Sequence, residues 1–154
     1  MTQDELKEIM KYDKLTGFFF RHNSSKVGSI NGAGYQQTKI KKKFYLLHRL
    51  AWLYETGSFP KDQIDHVNHD RSDNRWINLR ESNQVENMKN RKLYKKNKSG
   101  KPGVRWNKKS SKWVANIKVG KKQVYLGGFL ELDKVIRACE TVEIAHGYYL
   151  NHGK

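Results

Sequence analysis

Residues 64–87 read IDHVNHDRSDNRWINLRESNQVEN. Ile64 leads into Asp65-His66. A polar, turn-rich loop follows, then the run Asn74-Arg75-Trp76-Ile77-Asn78-Leu79-Arg80, and then a segment able to begin a helix. Loops are polar as a rule, but they seldom gather metal-ligating and proton-transferring side chains in one place. Three chemistries compete for Asp65, His66, His69, Asp70, Asp73, Asn78 and Asn87. A calcium loop needs acidic or amide ligands at alternate positions followed by Gly, and Val67 and His69 interrupt that pattern. A zinc site has His66 and His69 but lacks good third and fourth ligands. The third arrangement is one hard cation, Mg²⁺ or Mn²⁺, held by the oxygens of Asp65 and Asn87. Neutral His66 is then left to take a proton from water.

The rest of the chain suggests what such a site acts on. Among 154 residues, Lys and Arg outnumber Asp and Glu by 31 to 15, a formal charge of +16. That excess points to a polyanion, nucleic acid or an anionic membrane. No apolar run approaches the roughly 18 residues of a membrane span, and the basic residues form no strongly amphipathic helix, which favours nucleic acid. The N-terminus lacks the basic-then-apolar order of a signal peptide. Cys139 is the single cysteine, so an internal disulfide and a thiolate zinc cage are both excluded. A reducing cytoplasm is the expected compartment, with no secretion. Acids concentrate at positions 55–86; none lies between Asp13 and Glu55, or between Glu86 and Glu131. A basic protein with its acids gathered in one segment fits a nucleic-acid binder holding a divalent cation, since bare carboxylates would repel phosphates.

Residues 2–12 are expected to form a short helix, with Leu6, Ile9 and Met10 on one side. Strands are expected at Phe18–Phe20, Tyr35–Ile40, Phe44–Leu47 and Ile64–His66. Gly28, Gly32 and Gly34 read as turn glycines; GSINGAG lacks the Lys-Ser/Thr of a phosphate-binding loop. HRLAWLYETG, from His48, has helical spacing closed by Gly57 and Pro60. His48 itself reads as a helix-start or DNA-contact residue. Ser82 is expected to cap a helix running to about Leu93. Residues 89–101 carry seven basic residues and no acid, a tether able to grip phosphates. Short strands at 104–106, 113–119 and 123–126 precede a helical pattern over 131–148. They predict a three-stranded antiparallel sheet packed on one helix. Alternation along the middle strand puts Trp113, Ala115, Ile117 and Val119 on the helix face, leaving a face with Arg105, Lys118 and Tyr125 that can enter the major groove. Trp52 and Trp106 are expected in the core.

The order Asp-His, Asp-Asn-Arg-x-x-Asn-Leu-Arg and Glu-Asn resembles the HNH homing endonucleases, with His66, Asn78 and Asn87 at the name-giving positions. Their separations of twelve and nine residues are those of the phage members. His48–Trp52, HRLAW, is similar to a segment upstream of that motif. The resemblance covers about 44–92 and implies a ββα-metal fold. In it His66 and Asn78 are the catalytic pair, His66 as general base and Asn78 as the structural residue, while Asp65 and Asn87 bind one divalent cation. The chain lacks the cysteine pairs of the zinc-stapled subfamily, so zinc is not implied. The C-terminal part resembles the AP2/ERF DNA-binding domain through Gly103-Val104-Arg105, Lys112-Trp113-Val114-Ala115, Ile117-Lys118, and Val124-Tyr125-Leu126-Gly127 with Phe129. The resemblance places Arg105, Trp113, Lys118 and Tyr125 at DNA-reading positions. Tyr125 stands where that family usually has Trp and Asn116 where it often has Glu, so base preference does not transfer.

The expected protein is α+β. A strand-rich region with the nuclease domain spans 1–93 (motif 64–92), a basic linker 94–102, and an AP2-like domain 103–154. Its expected function is site-specific hydrolysis of double-stranded DNA by a monomer. The expected DNA contacts are Lys41, Lys42, Lys43, Arg75, Arg91, Lys95, Lys96, Arg105, Trp113, Lys118, Lys121 and Tyr125. The alternative is a DNA-binding protein in which a decayed HNH fold clamps without cutting.

Overall fold

The computed structural model describes residues 1–120 and 122–154. The chain divides into two compact units, Met1–Asn83 and Gln84–Lys154.

The first unit opens with helix α1, Gln3–Ile9, whose first turn is closed reciprocally. Thr2 Oγ1 accepts from the Glu5 amide at 3.2 Å and Glu5 Oε2 from the Thr2 amide at 2.9 Å, a capping box. The helix is shorter than the 2–12 pattern predicts. Met10 turns to extended backbone and begins strand β1, Met10–Asp13, in which Met10 and Tyr12 face inward. Leu6, Ile9 and Met10 satisfy a helical period, but Met10 and Tyr12 also satisfy a strand period. Pairing of β1 with β2, Phe18–Arg21, decides between them. Strand β3, Lys26–Val27, completes this sheet, and β4, Ser29–Ile30, β5, Gln36–Ile40, and β6, Lys43–Leu46, form a second. Helix α2, Leu47–Thr56, follows and ends at left-handed Gly57, as the sequence predicts. Phe19, Leu47, Leu50 and Leu53 form part of one buried cluster, each worth about 1.5–3 kcal/mol of burial.

Strand β7, Gln63–His66, pairs antiparallel with β8, Leu79–Ser82, in the register Asp65↔Arg80 and His66↔Leu79. Strand β8 is absent from the reading of the residues themselves. Ser82, expected as a helix cap, is its buried last residue.

The second unit begins with helix α3, Gln84–Lys89, which ends short of Leu93. Strands β9, Val104–Asn107, β10, Lys112–Val119, and β11, Lys122–Phe129, make a sheet of order β11-β10-β9. Helix α4, Leu132–Ala145, shares a core with it: Val104, Ala115, Val135 and Cys139 cluster together, with Trp113, Leu126, Phe129 and Leu132 against them. Gly103 is required where β10 carries a register shift at Ala115/Asn116: its φ is +77° and a Cβ there would stand 2.2 Å from the Asn116 carbonyl oxygen.

Residues 94–102 are built into this unit. Ser99 Oγ donates to the Val104 carbonyl at 2.9 Å, Asn97 Nδ2 to that of Lys101 at 3.0 Å, and Lys101 Nζ pairs with Glu143 Oε2 at 2.6 Å. The C-terminal residues bind the same stretch, Gly153 N–H donating to the Arg91 carbonyl at 2.8 Å. These bonds tie the stretch expected as a linker into the second unit, which begins at Gln84. No helix among the described residues is long and apolar enough to cross a membrane.

Candidate active site and nucleic-acid surface

Alternation along β7 turns Ile64 and His66 inward and leaves Asp65 half-buried. Directly across the strand pair, Arg80 grips Asp65: Nε donates to Oδ2 at 3.0 Å, and Nη2 makes a shorter contact to the same oxygen. Both side chains are 18% exposed. The pairing follows from register, which a reading without β8 does not supply.

The crowded polar side chains between the strands chiefly build the loop. Asn68 Oδ1 accepts from the Asp70 amide at 2.9 Å, and Asp70 Oδ1 accepts from the Ser72 amide and hydroxyl at 2.9 and 2.7 Å. These are Asx turns. Asp73 takes Arg75 in a fork, Nε to Oδ1 at 2.8 Å and Nη2 to Oδ2 at 2.6 Å, and its Oδ2 also accepts from Asn68 Nδ2 at 2.7 Å. These bonds hold both carboxyls below the usual carboxylate range, hydrogen bonds from Ser72 dominating for Asp70 and from Arg75 for Asp73. Asn78 closes the loop. It is 5% exposed, its Oδ1 accepts from the Asn68 amide at 2.9 Å, and its Nδ2 donates to the Asp73 carbonyl at 2.8 Å.

Two further ties run to the β4–β5 hairpin, Arg71 Nη1 to the Ala33 carbonyl at 2.8 Å and Gln36 Nε2 to that of Ser72 at 3.0 Å. A third runs from Tyr12 Oη to the Asn74 carbonyl at 2.7 Å. His69 sits at φ +64° in a turn. With Asp70 and Asp73 committed to the loop, and Glu81 of β8 accepting from the Lys61 and Asp62 amides through Oε1, Asp65 on β7 is the carboxylate beside His66. An oxygen donor of that kind suits a hard cation. No group of three or more His, Cys, Asp or Glu arranged to hold a metal occurs among the described residues.

His66 is 3% exposed. Its Nε2 lies 3.4 Å from Asn74 Oδ1, at the long limit of a hydrogen bond. Its ring packs 5.1 Å from His48 and 5.9 Å from Tyr35, centroid to centroid. The Arg71 guanidinium covers Tyr35 at 5.0 Å. Burial lowers the His66 pKa below its ordinary value, opposed by the Asn74 hydrogen bond and by the charges of Asp65, Asp73 and Asp70. The imidazole is therefore neutral near neutral pH, the form able to accept a proton. His48 is the second residue of α2, so it starts a helix as expected, and its side chain is buried, 4% exposed. Arg80, Asn74, Tyr35 and His48 are neighbours that sequence reasoning did not assign to the site; the register of β8 would have found Arg80.

Asn87 lies half-buried on α3 in the second unit. Lys41 and Lys42 are exposed at the β5–β6 turn, both with positive φ, and exposed Lys43 begins β6. Arg75 is exposed but held by Asp73. Arg91 lies over the Tyr94 ring at 5.7 Å, and Lys95 and Lys96 are exposed. On the sheet, Arg105, Lys118 and Tyr125 are exposed, with Tyr125 opposite Asn116 in register. Trp113 departs from the expected contact set: it packs with Leu126, Phe129 and Leu132 on the helix side and meets Trp106 edge-on at 5.2 Å. Trp106, expected in the core, is 44% exposed, whereas Trp52 packs against the first core. Lys121 lies outside the described residues.

Residues 45–89, less than a third of the chain, match the family model of the HNH endonucleases. The matched stretch holds β7, the stitched loop, β8 and α3, with Asp65, His66, Asn78 and Asn87. Among solved structures, the HNH homing endonuclease I-HmuI, described for its DNA binding and cleavage, is similar over 53% of this chain. The identity is 24% and the TM-score 0.44, and the match spans 51% of that protein's chain, about half its length. No curated protein matches the chain significantly.

Proposed function

We propose that this chain is a site-specific DNA endonuclease that hydrolyses phosphodiester bonds with one divalent cation and His66 as general base. The observation that carries the reading is the Asp65-His66 pair at the end of β7, followed by a loop locked through Asn78, inside a segment matching the HNH endonucleases. Buried, neutral His66 would take the proton of the attacking water. Asn78 holds the loop in shape and acts through the backbone rather than on substrate. Asp65 and Asn87 would hold a cation such as Mg²⁺ or Mn²⁺, which when bound supplies charge neutralisation at the phosphate and the departing oxygen. Arg80 orients the Asp65 carboxylate toward that task.

Double-stranded DNA is the polyanion that a charge of +16 fits. Lys41, Lys42, Lys43, Arg91, Lys95 and Lys96 would contact phosphates, Arg75 joining them when it leaves Asp73. Arg105, Lys118 and Tyr125 on the AP2-like sheet would contact the major groove, with the protein acting as a monomer. The test incubates plasmid with full-length protein and Mg²⁺ or Mn²⁺, comparing wild type with His66→Ala. Metal-dependent cutting by wild type and none by the variant is the expected result. Equal cutting by both, or none by either across candidate target DNAs, removes the reading.

A further inference from the structure

Helix α2 carries His48 into the core of the first unit, where its Nδ1 is buried with no hydrogen-bond partner among the described residues. An apolar ring of similar shape would fill that space without an unbonded nitrogen. A native protein that keeps one there needs a reason. In the described part of this unit the other such side-chain atom is Asn74 Nδ2. Both residues border the same imidazole: Asn74 through Oδ1, 3.4 Å from His66 Nε2, and His48 through its ring, 5.1 Å from that of His66 with the planes at 84°. Tyr35 closes the group, 5.1 Å from His48 and 5.9 Å from His66. It is braced by Arg71 from the loop that precedes Asn78. The connection from β4 to β5 and helix α2 thus deliver Tyr35 and His48 as two walls around one side chain.

We propose that His48 is a positioning residue for His66: its ring fixes the plane of the His66 imidazole, and its Nδ1 is held for a hydrogen bond that forms when the site contains a water molecule and a phosphodiester. The substrate in this assignment rests on the endonuclease reading above; the ring geometry does not depend on it. The burial that keeps His48 uncharged suits the role, because a second cation beside His66 would oppose proton transfer to it.

Full-length His48→Phe keeps a ring and loses both nitrogens, whereas His48→Asn keeps a polar atom near the Nδ1 position. On a mapped DNA site, His48→Phe is expected to lower kcat about 10- to 100-fold with KM within about twofold of wild type. His48→Asn is expected to recover part of that loss. Thermal unfolding verifies that each variant is folded, with His48→Leu replacing Phe if that variant is unstable. Imidazole nitrogen NMR without DNA reads His66 directly: one tautomer in wild type, and a shifted or mixed signal in His48→Phe. A wild-type protein that cuts nothing sinks the endonuclease reading, and the NMR comparison then decides the positioning role alone. Wild-type kcat in the folded Phe variant, or an unmoved His66 signal where there is no cutting, overturns the assignment.

Discussion

Asp65 and Arg80 face each other across β7 and β8, and both nitrogens of the Arg80 fork that reach Asp65 converge on the single oxygen Oδ2. At 18% exposure each, the pair lies between the solvent-exposed case, worth up to about 1 kcal/mol, and the fully buried one, where removing a partner costs about 3–5 kcal/mol. Arg80→Gln should therefore destabilise the protein by about 1–3 kcal/mol in urea unfolding. A double-mutant cycle with Asp65→Asn should return a coupling of about 1–2 kcal/mol. Saturating Mg²⁺ should raise the wild-type midpoint through mass action and leave that of Asp65→Asn unmoved. Equal shifts in both would place the cation elsewhere.

Asn78 satisfies the Asn68 amide and the Asp73 carbonyl from one buried side chain. Asn78→Ala leaves the half-buried Asn68 amide and Asp73 carbonyl without this partner. The expected loss is about 2–3 kcal/mol, with faster hydrogen exchange at the Asn68 amide. Cleavage should fall along with loop order, while Asn78→Asp, which keeps the acceptor, should retain the Asn68 bond. An Asn68 amide as protected in Asn78→Ala as in wild type would show that the loop is held by other means.

Much of this was legible before any coordinates. Helical spacing and Gly57 gave α2, and the alternation of the 113–119 run put Trp113 and Ala115 on the side where Val135 and Cys139 pack, though Val114, assigned by it to the other face, is buried as well. Strand β8 was hidden because Leu79-Arg80-Glu81-Ser82 offers a single apolar residue, and its strand character comes from pairing with β7. With it were hidden the Asp65–Arg80 contact and the role of Ser82. Residues 10–13 failed for the opposite reason: two periods fit them, and long-range pairing chose. The polar richness around Asp65 was read as chemistry, and most of it proves to be loop carpentry by Asn68, Asp70 and Asp73. His48 and Tyr35 reach His66 from distant elements, a proximity that no local pattern announces.

The sheet face with Arg105 and Lys118 makes a prediction about salt. Each phosphate neutralised should contribute about −0.9 to the slope of log affinity against log salt. Arg105→Ala or Lys118→Ala should each reduce the slope by about one if the residue meets a phosphate. A residue that reads a base edge should instead relax preference at one position, at about 1–3 kcal/mol. Trp113→Phe, on the helix side, should change thermal stability and leave the slope unaltered. Filter binding across a salt series separates the three, and a slope that follows Trp113 instead would put the wrong face on DNA.

Acid should destabilise the protein, and His48 gives the sign. Burial first, then the charges of His66 and Arg49, push its pKa from 6.5 to about 3. The folded chain thus refuses a proton that the unfolded chain accepts once the pH drops below 6.5. The contribution of the buried neutral ring is fully present above that value. It is lost as the pH falls toward 3, by up to about 1.4 kcal/mol per pH unit. His66, lowered by burial too, acts in the same direction. The depressed carboxyls of Asp70 and Asp73 add a further loss in more acid solution. Urea midpoints measured between about pH 7.5 and pH 4.5 should fall steadily for wild type, with a shallower fall for His48→Phe. Identical slopes would mean that the imidazole is protonated without the fold giving way, and the ring would then not be as buried as the geometry around Tyr35 and His66 makes it.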